Sequence, residues 1–143
     1  MPGIIVGVDG SGYSQRALEW AVKEAAVHQA PLTVVTVHQA VAGFFGSPVD
    51  YPGDEAQMER ARQAVQAETE KVLAEAGEAR PTSVTVKVVN GFPAEELVKA
   101  GEGADMIVLG SRGAGGFSRL LMGSVTFQVA QHSHCPVLIV PSA

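Results

Sequence analysis

Apolar residues along this chain follow two rhythms: short aliphatic runs, and longer stretches with an apolar position every three or four residues. Residues 4–8 (Ile-Ile-Val-Gly-Val) read as a buried strand that ends at Asp9-Gly10-Ser11-Gly12. A helix follows from about Ser14, with Leu18, Ala21, Val22, Ala25 and Ala26 on one stripe. Trp20 lies off that stripe and is expected to cover a neighbouring loop or helix. Residues 32–37 form a second strand after Pro31, and residues 40–53 a long loop carrying Phe44, Phe45 and Tyr51. The longest helix spans 54–76, with Met58, Ala61, Val65, Val72 and Ala76 on one side, and Gly77 placed to close it in the left-handed region. Val84, Val86 and Val88 then alternate with Thr85 and Lys87, the pattern of an edge strand with one wetter side. Pro93 fits the first turn of a short helix bearing Leu97 and Val98. A fourth strand at 106–109, a glycine-rich loop at 110–122, a helix from Ser124 to about His132 and a last strand at 137–140 complete the chain.

Strand and helix patterns alternate throughout, which predicts an α/β fold: an open five-stranded parallel sheet with helices on both faces, joined by right-handed crossovers. With 143 residues and no repeat or linker, residues 1–143 are expected to form one domain. Composition agrees. The chain is 46% hydrophobic with a mean hydropathy of +0.16, as expected when strands are covered on both faces. A net charge of −5 and a pI near 5.3 oppose non-specific attraction to nucleic acid or to anionic lipid, so no nucleic-acid or membrane partner is expected. Cys135 is the only cysteine, which excludes an intramolecular disulfide, and it is expected to serve as a small apolar residue. The chain enters its first strand without a leader pattern and has no apolar run near the ~18 residues of a membrane span, so a cytoplasmic location is expected.

In open parallel sheets, ligands bind beyond the carboxyl ends of the strands, where strand order reverses. Two segments have a composition suited to that place: Asp9-Gly10-Ser11 after the first strand, and Gly110-Ser111-Arg112-Gly113 after the fourth. The latter runs through Ala114-Gly115-Gly116 to Gly123-Ser124. Glycines let the backbone approach a ligand and offer N–H groups to phosphate oxygens. Gly123-Ser124 opens a helix, where unsatisfied N–H groups and the helix dipole favour an anion and the Ser124 hydroxyl can add a further bond. The P-loop pattern Gly-x-x-x-x-Gly-Lys-Ser/Thr is absent, as is Gly-x-Gly-x-x-Gly after the first strand. A receiver domain would carry an acidic pair after the first strand and an aspartate after the third; here those places hold a lone Asp9 and Asn90-Gly91.

What remains is Gly-x-x-Gly, nine residues, then Gly-Ser, at Gly110, Gly113, Gly123 and Ser124. With Val8-Asp9-Gly10-Ser11, the stretch from Ala104 to Gly113 and the closing Cys135-Pro136-Val137-Leu138-Ile139-Val140-Pro141, the chain resembles the ATP-binding branch of the universal stress protein family over nearly its whole length. The resemblance implies a Rossmann-like sheet in the order third, second, first, fourth, fifth strand, in keeping with the wetter third strand at an edge. It implies an adenine-nucleotide site in which Asp9 and Val37 lie against the base. The neighbouring Gly10, Ser11 and Leu109 then line the strand ends, with Gly110 and Arg112 near ribose and phosphates. Gly113, Gly123, Ser124, Val125 and Thr126 would hold the phosphates. The ligand so implied is ATP, with Mg²⁺ on its phosphates. The resemblance also implies a homodimer formed by antiparallel pairing of the last strand.

Other polar residues point to simpler roles. Arg119 reads as a solvated loop cation, and His132 and His134 as cations at a helix C-terminus without a metal-binding cluster. His28 and His38 stand at no spacing diagnostic of a catalytic triad. No motif places a general base, so the sequence predicts a nucleotide-binding regulatory protein with at most slow ATP hydrolysis. Two alternatives stand beside that reading. One is an enzyme related to adenine-nucleotide hydrolases, though the Asp9-Gly10-Ser11-Gly12 turn is short for its pyrophosphate loop. The other is a nucleotide-free interaction module, which would have no use for the glycine motif.

Overall fold

A computed structural model describes residues 3–10, 12–39, 41–42, 48–49, 54–112 and 123–141. The elements in chain order are β1 (Ile4–Gly7), α1 (Gly12–Val27), β2 (Leu32–Gln39), β3 (Val41–Ala42), β4 (Pro48–Val49), α2 (Asp54–Ala76), β5 (Val84–Gly91), α3 (Pro93–Ala100), β6 (Met106–Gly110), α4 (Ser124–His132) and β7 (Val137–Val140). The main sheet has the order β5-β2-β1-β6-β7 and every pairing in it is parallel. This is the expected Rossmann-like order. β5 is an edge strand whose Thr85 and Lys87 are exposed while Val84, Val86 and Val88 are partly covered.

Alternation along each strand divides the aliphatic residues between two cores. Ile4, Val6, Leu32, Val34 and Val108 face α1 and α2, where Ala17, Leu18, Ala21, Val22, Val65 and Val72 complete a buried cluster. Ile5, Val35, Ile107 and Leu109 face α3 and α4 and pack with Leu97 and Val129. Full burial of such a side chain is worth about 1.5–3 kcal/mol, so the sheet, apolar on both faces, holds its two helical layers mainly by burial. Both Leu18 and Ile107 are fully buried.

Local chemistry sets the element ends. Gly77 closes α2 at φ +67°, and Pro93 occupies the first turn of α3, both as the sequence predicts. β2 and β5 run further than expected, to Gln39 and Gly91, because they pair continuously from Leu32↔Val84 to Gln39↔Gly91. Within the expected loop at 40–53, Val41–Ala42 pairs antiparallel with Val49 and Pro48, making a two-residue ribbon that the sequence does not announce. Phe44, Phe45 and Tyr51 lie outside the described residues. Trp20 adds a contact within its own helix. It is 43% exposed, and its ring carries the Lys23 ammonium, 5.6 Å from the centroid and one turn along the same helix.

Candidate functional site

Strand order reverses between β1 and β6. The chain leaves β1 through α1 on one face towards β2, and leaves β6 through α4 on the other face towards β7. The two helices therefore diverge and open a crevice above the carboxyl ends of β1 and β6. Register places Val6 beside Val108, so continuing both strands brings Asp9 level with Ser111.

On the β1 side, Val8 extends the ladder by donating its N–H to the Val35 carbonyl at 2.9 Å. Asp9 and Gly10 are exposed, and Gly10 has φ +83° with nothing among the described residues within 4 Å of the position a Cβ would take. The left-handed turn thus favours glycine. Ser14, 4% exposed on the first turn of α1, accepts a hydrogen bond from the Asp9 N–H at 3.3 Å and fixes the turn to the helix. Val37 lies further up β2, half-buried against the core under α3 and α4.

The β6 side is built differently. Leu109 is a core residue, 4% exposed, and Gly110 is buried in the pairing with Val140. Ser111 donates its N–H to the Val140 carbonyl at 2.8 Å, while its own carbonyl accepts from the Gly123 N–H at 2.6 Å. That second bond joins the two ends of the segment 112–122. Arg112 leaves the strand half-exposed, and Gly113, like Ser11, lies outside the described residues. Gly123 is the N-cap of α4, and among the described residues no side chain caps the helix. The first helical bond runs from the Phe127 N–H to the Gly123 carbonyl, so the N–H groups of Ser124, Val125 and Thr126 precede the helical ladder. Ser124 is exposed and Val125 half-buried. Thr126 is 5% exposed and donates its hydroxyl to the Gly110 carbonyl at 2.7 Å. Its hydroxyl proton is spent on tying α4 to β6, so only its N–H faces the helix end.

Two groups near the crevice have no signal in the sequence pattern. His38, the residue after Val37, pairs through Nε2 with Asp54 Oδ1 at 2.9 Å, both side chains 19% exposed. This joins the end of β2 to the first residue of α2 across sixteen positions, a contact that no local spacing rule reveals. Glu68 lies on the inner side of α2 between the buried Val65 and Val72. Burial pushes its carboxyl above the ordinary value, and the negative charge of Asp9 pushes the same way against a smaller opposing influence of Lys71. Cys135 is partly buried against the α3–α4 core and Ser133, in line with its expected apolar role. Among the described residues no group of His, Cys, Asp and Glu could hold a metal ion, and no helix is long and apolar enough to cross a membrane.

Fold and crevice together define an open parallel α/β protein with a crevice at the reversal of strand order. The chain belongs to the universal stress protein family, whose sequence profile matches residues 2–141. It is 38% identical over 143 residues to a universal stress protein of Mycobacterium tuberculosis, covering 98% of this chain and 48% of the relative. The chain thus spans about half the length of the mycobacterial relatives it matches. Among solved structures, the universal stress protein UspA of Lactobacillus plantarum superposes with a TM-score of 0.80 at 25% identity, covering 97% of each chain. A universal stress protein in complex with cAMP has a TM-score of 0.68 at 28% identity, covering 99% of this chain and 98% of its own.

Proposed function

We propose that this protein is an ATP-binding regulator of the stress response that holds its nucleotide in the crevice between β1 and β6. The observation that carries the reading is the uncapped start of α4 beside the Ser111–Gly123 closure. A serine or aspartate at the N-cap would occupy its own helix N–H groups, whereas glycine leaves them to a ligand. The β1 side suits the base: the Asp9 carboxylate is an acceptor for the exocyclic amino group of adenine, and Val37 offers an apolar wall. Gly10 gives the ligand room, and Arg112 stands where the glycine loop leaves the sheet. Ser11, Gly113, Gly123, Ser124, Val125 and Thr126 complete the cradle, the last through its N–H, with Mg²⁺ accompanying the phosphates. The cAMP-bound relative lends support to an adenine ligand.

Among the described residues no carboxylate or glutamine stands in a recognisable water-orienting place, in keeping with retention of nucleotide and hydrolysis far below the ~10 s⁻¹ typical of enzymes. The protein acts in the cytoplasm as a homodimer, paired through β7, an edge strand whose Val137, Leu138 and Ile139 are only partly covered. Mass spectrometry of ligand released from freshly purified protein, with calorimetry against ATP, tests the site. Released ATP, or binding tighter than about 1 mM, is expected; an empty site with no binding heat would overturn the reading. For the dimer, a light-scattering mass near 14.9 kDa at micromolar concentration would remove the β7 pairing.

A further inference from the structure

β2 outruns the strand beside it. β1 pairs with β2 from Ile4↔Leu32 to Gly7↔Val35, and the Val8 N–H adds a bond to the Val35 carbonyl. Among the described residues, Thr36 to Gln39 pair with β5 alone, from Thr36↔Val88 to Gln39↔Gly91. β5 is the edge of the sheet, so this end of β2 is a two-stranded extension with a free side over the carboxyl end of β1. Two strands without a third are marginally stable by themselves. The extension needs an anchor outside the sheet.

Alternation along the strand lets both faces supply one. Val37 and Val89 pack into the core under α3 and α4. His38 points the other way, where its Nε2 meets the Asp54 Oδ1 at 2.9 Å. An ionised carboxylate only accepts, so Nε2 carries the proton of this bond. Asp54 is the first residue of α2, where a negative charge suits the helix dipole. The bond thus fastens the extension to a helix that Val65 and Val72 hold in the opposite core. Counting on from Gly7↔Val35 brings Val37 level with Asp9. His38 therefore stands back to back with the residue that offers the base its apolar wall.

We propose that His38 and Asp54 are positioning residues for the base end of the crevice: their bond steadies the end of β2 and so holds Val37 in place against a purine. The inference rests on the reading of the crevice as an adenine-nucleotide site. Both residues act through Val37 and not on the ligand itself. The phosphate end is built elsewhere, on β6 and α4, which the Thr126–Gly110 and Gly123–Ser111 bonds tie to each other. Loss of the His38–Asp54 bond therefore loosens the base wall and leaves the anion cradle as it was.

Adenosine and inorganic triphosphate, titrated separately against the full chain, tell the two ends apart. In His38→Ala the adenosine affinity is expected to fall about fivefold, the order of one net hydrogen bond, while triphosphate binds as before. Asp54→Ala should cost the same, and the double variant no more than either single, since one bond serves both. His38→Gln, whose amide can donate in place of Nε2, should recover most of the affinity. Unchanged adenosine affinity in His38→Ala, additive losses, or an equal loss for triphosphate would overturn the proposal. Where ATP binds but adenosine is too weak to follow, amide hydrogen exchange in the ligand-free protein decides. Exchange should quicken in Asp54→Ala at residues 36–39 and stay slow at 32–35; an unchanged pattern would overturn it. Should neither alanine variant fold, nitrogen-15 NMR of the parent reads the His38 ring directly, and an Nε2 without a proton would overturn it too. Failure of the nucleotide reading looks different, since the parent would then bind neither probe nor ATP.

Discussion

The two sides of the crevice use opposite means. Beyond β1 the polar groups are side chains: the exposed Asp9 carboxylate, with the Ser14 hydroxyl fixing its turn to the helix. Beyond β6 they are main-chain groups: the carbonyls of Gly110 and Ser111 are used internally, and the N–H groups of Ser124, Val125 and Thr126 face outward from an uncapped helix. A side-chain carboxylate can tell one base edge from another, because it accepts from an amino group and repels a carbonyl. Main-chain N–H groups at a helix start recognise negative charge with little regard for what bears it. Selectivity is therefore expected on the β1 side and affinity on the β6 side, and substitutions can separate them.

The largest effect is expected from Gly123→Asp. The new carboxylate would cap the helix, occupy its N–H groups and repel phosphate, so ATP affinity should fall about 100-fold, roughly 3 kcal/mol. Fold stability should hold steady or rise by a few tenths of a kcal/mol, since an aspartate cap is slightly better than glycine. Calorimetry and thermal unfolding on one sample read both quantities; a loss of stability parallel to the loss of affinity would dissolve the distinction. Next comes Thr126→Val, which leaves the buried Gly110 carbonyl without its donor. Chemical denaturation should show a loss of about 1–3 kcal/mol, and an unchanged midpoint would mean that α4 is not tied to β6 through this bond.

Asp9→Ala is expected to act on preference rather than on hold. The ratio of ATP to GTP affinity should drop about tenfold, near 1.4 kcal/mol, while inorganic triphosphate binds as before. A uniform loss for all three ligands would place Asp9 in the anion cradle. The smallest effect concerns Glu68→Gln. The folded-state value of the Glu68 carboxyl is raised, so the native state holds more protons than the unfolded one in the window between the ordinary and the raised value. Stability contributed by this group is full below that window and declines as pH rises through it. At neutral pH the glutamine variant should be more stable by less than about 1 kcal/mol, given how much of the group meets solvent. The gain should vanish in acid, which denaturation curves at two pH values can check.

The parallel sheet was legible because buried strands and amphipathic helices alternate strictly, and Thr85 and Lys87 mark β5 as an edge, while the strand order itself was what the family resemblance implied. The start of α4 was legible too, since Gly123-Ser124 stands at a loop-to-helix boundary. What the sequence hides are pairings made in space. His38 meets Asp54 and Glu68 senses Asp9 only after α2 has docked on the sheet, and no interval of three or four residues encodes either. Thr126 illustrates a different gap. Its place in the motif reads as another ligand for phosphate, yet its burial commits the hydroxyl proton to a carbonyl of the scaffold. The β3–β4 ribbon escapes because two-residue strands carry no periodicity.

The hydrogen bond between Ser111 and Gly123 has a meaning beyond ligand binding. It gathers the entry and exit of the segment 112–122 at a single point on the sheet, 2.6 Å wide. A bond between these flanking residues holds the end of β6 to the start of α4 whatever the length of chain between them. Closing a loop twice as long costs only about 0.6 kcal/mol more. Apart from Arg112 and Gly113, which the proposed cradle uses, this segment can therefore change in length at little thermodynamic penalty, making it a place where copies of one scaffold are free to diverge.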